Sequence, residues 1–67
     1  MWVTIHIVDS KPTADKIVRI LSDKGFLVKT SPVYKNVFSK GNHYEILVLK
    51  SEAYDARDVL LLNGYWK

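Results

Sequence analysis

The run "EILVL", residues 45–49 within "HYEILVLK", constrains this chain more than any other stretch. A strand that is apolar almost without interruption is buried on both faces, as a strand in the middle of a sheet is. With 67 residues the chain forms one small domain, 1–67, and has one sheet in which to place such a strand. The other segments must therefore supply a strand on each side of it and something to cover each face. Covalent help is absent. With no cysteine there are no disulfides, no thiolate metal ligands and no cysteine nucleophile. A domain of this size buries only about 60% of its unfolded surface, which leaves good packing and self-association as its sources of stability.

The flanking strands are legible. "WVTIHIV" alternates, with Val3, Ile5 and Ile7 on one face and Trp2, Thr4 and His6 on the other. "FLVKTSPVY" does the same, with Phe26, Val28 and Thr30 opposed to Leu27 and Lys29. Pro32 cannot donate to a ladder, so this second strand lies at an edge. Between the two, "DSKPT" supplies helix-start signals, with Ser10 or Thr13 as N-cap and Pro12 near the first turn. Ala14, Ile17, Val18 and Leu21 then recur at helical spacing, and Gly25 suits a left-handed helix stop. After the third strand, Ser51 is the expected N-cap of a second helix with Ala53, Ala56 and Leu60 on one face and Val59 beside them. Asn63-Gly64 ends that helix, leaving "YWK" as a tail or a short fourth strand.

The order β-α-β-β-α, with the third strand slotted antiparallel between the first two, is an α+β arrangement of strand order 2-3-1. It is a truncated ferredoxin-like split βαββα(β) topology with both helices on one face of the sheet. The face away from the helices would carry Trp2, Thr4, His6, Leu27, Lys29, Glu45, Leu47 and Leu49. A solvated face is mostly polar, and this one is not. Apolar patches of that kind meet a partner. For a small domain the economical partner is a second copy, so a homodimer is favoured over a tail or hairpin folded back across the patch.

Little in the sequence points to catalysis. His6, Glu45 and Lys29 would sit on one face, enough for weak metal binding or acid–base work, but spacing alone specifies neither a ligand set nor a cleft, and a cross-strand polar cluster with a Lys29–Glu45 ion pair is the favoured reading. No serine lies in a nucleophile-elbow setting, and Gly25, Gly41 and Gly64 are too isolated to form a phosphate loop. The helix starts near Thr13 and Ser51, with Lys11 and Lys50 close by, can attract a small anionic ligand, as any helix start can. A pyridoxal-phosphate site, with its Schiff-base lysine and phosphate cup, does not fit in so short a chain. A non-enzymatic protein without a cofactor is expected.

Ten basic and seven acidic residues are interspersed, giving a net charge of +3 without a block of either sign. The glycine-aromatic-basic motif of RNA-binding sheets is missing from "YEILVL", so nothing supports nucleic-acid binding beyond the mild positive balance. The segment "SPVYKNVFSKGN", residues 31–42, is long for a hairpin connection and carries Tyr34, Lys35, Phe38 and Lys40, which makes it a candidate interaction or ligand loop. No stretch approaches the ~20 apolar residues of a membrane span, and "MWVTIHIVDSK" lacks the layout of a signal peptide. A cytoplasmic location is expected.

"MWVTIHIVDS", "TADKIVRILSDKGFLVKT" and "YEILVLKSEAYDARDVL" together resemble the putative prokaryotic signal-transducing protein family, small bacterial domains similar to a shortened PII regulator. The resemblance implies a βαββα domain, bacterial and cytoplasmic, that binds a ligand or partner. In PII-like proteins the functional loop joins the second and third strands, where residues 31–42 stand here. The loop does not match a PII nucleotide-binding signature.

Overall fold

A computed structural model describes residues 1–33 and 43–65 of the chain. Its elements are β1 (Trp2–Val8), α1 (Lys11–Asp23), β2 (Val28–Val33), β3 (His43–Leu49), a 3-10 turn (Lys50–Glu52) and α2 (Ala53–Leu62). The strands form one antiparallel sheet in the order β1-β3-β2. β3 is therefore the middle strand, which is where its uninterrupted apolar run requires it to be.

α1 starts where Ser10, in an extended conformation, accepts a hydrogen bond from the Thr13 amide at 3.4 Å. The Ser10 hydroxyl also donates to Thr13 Oγ1 at 2.9 Å, so Ser10 is the cap and Thr13 its partner. Pro12 falls in the first turn, where its missing N–H leaves no helical bond unmade. The helix ends in a Schellman motif, with Gly25 at φ +94°, its amide donating to the Ser22 carbonyl and the Phe26 amide to Leu21. α2 ends the same way. Gly64 is at φ +82°, its amide donates to Leu61, and the Tyr65 amide donates to Leu60. In each motif the residue after the glycine, Phe26 or Tyr65, packs against the core.

The start of α2 departs from expectation. The chain leaves β3 through the 3-10 turn, Ser51 lies inside that turn, and Glu52 precedes the helix without making a side-chain capping bond. The tight turn takes the residues that the capping pattern assigned to the first helical turn.

Ile5, Val8, Ile46 and Val48 from the sheet and Ala14, Ile17, Leu21, Ala56 and Leu60 from the helices form one buried cluster. A single cluster joining all of these residues puts both helices on the same side of the sheet. Val3, Phe26, Val28, Tyr44, Ala53 and Val59 close its margin. Three strands are present among the described residues, and Gly64 and Tyr65 belong to the close of α2 rather than to a strand.

The main surprise lies in β1. Trp2, Val3 and Thr4 pair with Leu49, Val48 and Leu47, but His6, not Ile5, is next in register, opposite Ile46. Ile5 is the extra residue of a β-bulge, and the alternation shifts phase there. Beyond the bulge Ile7 pairs with Glu45 and Val8 with Tyr44. Ile7, expected in the core, is 53% exposed, and Val8 takes the buried place, at 7% exposed. One inserted residue thus exchanges the faces of all that follows it in the strand.

Candidate functional site

The sheet face turned away from the helices is the candidate site, and strand register sets its layout. Leu47 lies at its centre, flanked by Thr4 on β1 and Lys29 on β2. One row along β3, Leu49 is flanked by Trp2, with Leu27 just before β2 in alternation with Lys29. In the other direction Glu45 is flanked by Ile7 and Ser31, and beyond it His43 pairs with Val33. Trp2, Ile7 and Leu27 are 37%, 53% and 60% exposed, while Leu47 and Leu49 are half-buried.

A side-chain bridge joins the two edge strands on this face. The Lys29 ammonium sits 4.5 Å from the centroid of the Trp2 ring. β1 and β2 lie about 10 Å apart on either side of β3, so this contact passes over the middle strand. The Lys29 charge thus rests against the Trp2 indole. At an exposed site such a contact is worth about 0.5–1 kcal/mol. It is easily exchanged for a better partner.

Of the eight residues expected on this face, seven are there: Trp2, Thr4, Leu27, Lys29, Glu45, Leu47 and Leu49. His6 is not. The bulge places it opposite Ile46, on the register row of the core, and Ile7 takes the place beside Glu45. His6 is half-buried there, and desolvation holds its imidazole below the ordinary pKa of 6.5. The His6–Glu45–Lys29 constellation is accordingly not assembled. Nor do Lys29 and Glu45 pair within the chain: Lys29 is diagonal to Glu45 across β2 and β3, and its ammonium goes to Trp2. Among the described residues Glu45 makes no ion pair.

Ile7 is the face residue that the alternation assigned elsewhere. Nothing in "WVTIHIV" marks the bulge, since Ile5 followed by either Ile7 or Val8 gives an apolar core edge. The choice between Ile7 and Val8 belongs to the packing of helices on the sheet.

The remaining candidates are less built. Tyr34, Lys35, Phe38 and Lys40, the loop residues, lie outside the described residues, so of the segment 31–42 only Ser31, Pro32 and Val33 are placed. At the start of α1 the Lys11 ammonium, expected to help attract an anion, pairs instead with Asp15 at 3.2 Å. A shallow groove of about 160 Å³ is lined by Tyr54, Arg57, Asp58 and Leu61, all from the outer surface of α2. Small-molecule sites occupy about 300–1,000 Å³ and draw on several elements, so this groove is not one. Among the described residues no helix is long and apolar enough to cross a membrane, and no three His, Asp or Glu side chains gather to hold a metal.

No family model, curated protein or solved structure matches the chain.

Proposed function

We propose that the chain is a non-enzymatic interaction module that associates reversibly with a second copy through the open face of its sheet. The observation that carries this reading is the face itself: Trp2, Ile7 and Leu27 are exposed around Leu47 and Leu49, and among the described residues one cation–π contact bridges above them. Exposed apolar surface gathered in one patch, rather than scattered, is the mark of a contact surface.

The sheet edges argue for the face and against edge-to-edge extension. β1 carries the bulge at Ile5, and β2 carries Pro32 and the exposed Lys29. Bulges, prolines and lysines are the devices that stop an edge strand from pairing with another chain. The area sets the strength. Three strands by three rows of side chains span about 14 Å by 20 Å, or about 300 Å² of flat area per copy. Some 600 Å² in total is well below the ~1,200 Å² of stable complexes. The association is therefore of the weak, transient class.

A PII-like, ferredoxin-like signalling domain of the bacterial cytoplasm is the wider form of this proposal, and it rests on the pattern of strands, helices and caps along the chain. Sedimentation equilibrium up to about 1 mM tests the core of it. A mass that rises with concentration, and is held at the monomer value by Leu47→Glu, supports the reading. A wild-type chain that stays monomeric throughout removes it.

A further inference from the structure

We infer that the second copy docks with its strands crossed at about 90°, so that Lys29 of each copy meets Glu45 of the other. The inference rests on self-association through the open face and adds the arrangement. Its basis is the position of the two charges. Lys29 is one strand to the side of Leu47, and Glu45 is one row along β3 from it. They lie at nearly equal distances from the centre, about 5 Å and 7 Å, in perpendicular directions. Two identical faces pair about a two-fold axis lying in the interface, and the direction of that axis decides what each charge meets.

With the axis along the strands, Glu45 faces Glu45 of the second copy. With the axis across the strands, Lys29 faces Lys29. Along the diagonal through the Leu27 and Ile7 corners, Lys29 is pressed onto Leu49 and Glu45 onto Thr4, and both charges lose water without gaining a partner. Moving the centre by half a row sets Lys29 against Leu27 or Glu45 against Leu47. Only the diagonal through the Trp2 and Ser31 corners satisfies both charges. It places Lys29 on Glu45 of the second copy and Glu45 on its Lys29, and it exchanges one lattice direction for the other, which crosses the strands. Orthogonal crossing is one of the two ways in which sheets pack face to face.

The same operation completes the apolar contacts without being asked to. Leu27 falls on Ile7 of the second copy, Ile7 on its Leu27, Leu47 on Leu47 and Trp2 on Trp2. The bulge matters here. A bulge-free β1 would put His6 at the corner that Ile7 occupies, and Leu27 would face an imidazole. Lys29, whose charge rests on Trp2 in the single chain, is already on the face and exposed, so docking replaces a weak cation–π contact with a charge pair.

Complementary charge reversal tests the arrangement. Lys29→Glu makes both positions acidic and Glu45→Lys makes both basic, so each variant alone should self-associate about tenfold or more weakly than the wild type. In an equimolar mixture of the two, an acidic face meets a basic one and opposite charges oppose each other at both contacts. The mixture should therefore associate within about threefold of the wild type. The substitutions sit on the surface, and recovery in the mixture shows that both variants are folded. A wild type that dimerises while the mixture associates no better than either variant overturns the crossed docking and leaves self-association standing. A wild type that remains monomeric to about 1 mM overturns both.

Discussion

Placing a lysine at each of three neighbouring positions in β1 tests the bulge on which the open face depends. In a regular strand Ile5 and Ile7 share the core face and Val8 points away. With the bulge, Ile5 and Val8 are 5% and 7% exposed and Ile7 is 53% exposed. An unpaired charge forced into the core costs several kcal/mol. A chain of this length has a total stability of about 3–10 kcal/mol, so Ile5→Lys and Val8→Lys should be largely unfolded. Ile7→Lys loses at most the buried half of its side chain, about 1 kcal/mol. The new ammonium faces Glu45, its cross-strand partner, and recovers about 0.2–1 kcal/mol. The net change is within about 1 kcal/mol, or a melting shift within about 4–8 °C for a domain of this size. Far-ultraviolet circular dichroism on heating, at a concentration low enough to keep the chain monomeric, reads all three. A folded Val8→Lys beside an unfolded Ile7→Lys would restore the regular strand and remove Ile7 from the face.

Two further expectations concern stability alone. Ser10→Ala removes the cap of α1, leaving the Thr13 amide without its acceptor, and should cost about 1 kcal/mol in urea denaturation; no measurable loss would mean the cap contributes nothing. His6 binds its proton less readily folded than unfolded, because burial lowers its pKa below 6.5. Its contribution is therefore neutral above that pH and becomes destabilising as pH falls through 6.5, where the unfolded chain takes up the proton first. Urea midpoints at about pH 7.5 and pH 5.5 should separate more for the wild type than for His6→Gln, and equal separations would show that His6 is not the group responsible.

The parts of the fold that were legible in the sequence are those whose signals are local and redundant. α1 announces itself by a cap, an early proline, a helical apolar stripe and a stopping glycine, and each of these acts where the pattern placed it. β3 was legible as the middle strand because continuous apolarity admits no other place in so small a sheet. The failures occurred where one residue decides between equal alternatives. A bulge adds a single residue to β1, and with apolar side chains at both Ile7 and Val8 the pattern cannot show which one the helices cover. Serine before an apolar run usually caps a helix, yet the exit from β3 tightens into a 3-10 turn that holds Ser51 ahead of α2 and away from its cap position.

The candidate face follows the same logic. Seven of its members were fixed by alternation in β3, in β2 and in the first half of β1, before the bulge intervenes. The exchange of His6 for Ile7 alters its chemistry more than its size. A face with a histidine, a carboxylate and an amine invites thoughts of catalysis, whereas one with an isoleucine there is an apolar surface bearing one charge of each sign. The placement of Lys29 against Trp2, and not against Glu45, leaves the carboxylate without an ion pair among the described residues.

Amide chemical shifts followed on dilution from about 1 mM to about 10 μM address the claim most directly, because they report which surface associates as well as whether any does. Concentration-dependent shifts are expected at Trp2, Ile7, Leu27, Lys29, Glu45 and Leu47, with Tyr54, Arg57 and Leu61 on the outer surface of α2 unmoved. Shifts confined to α2, or none at all, would contradict it.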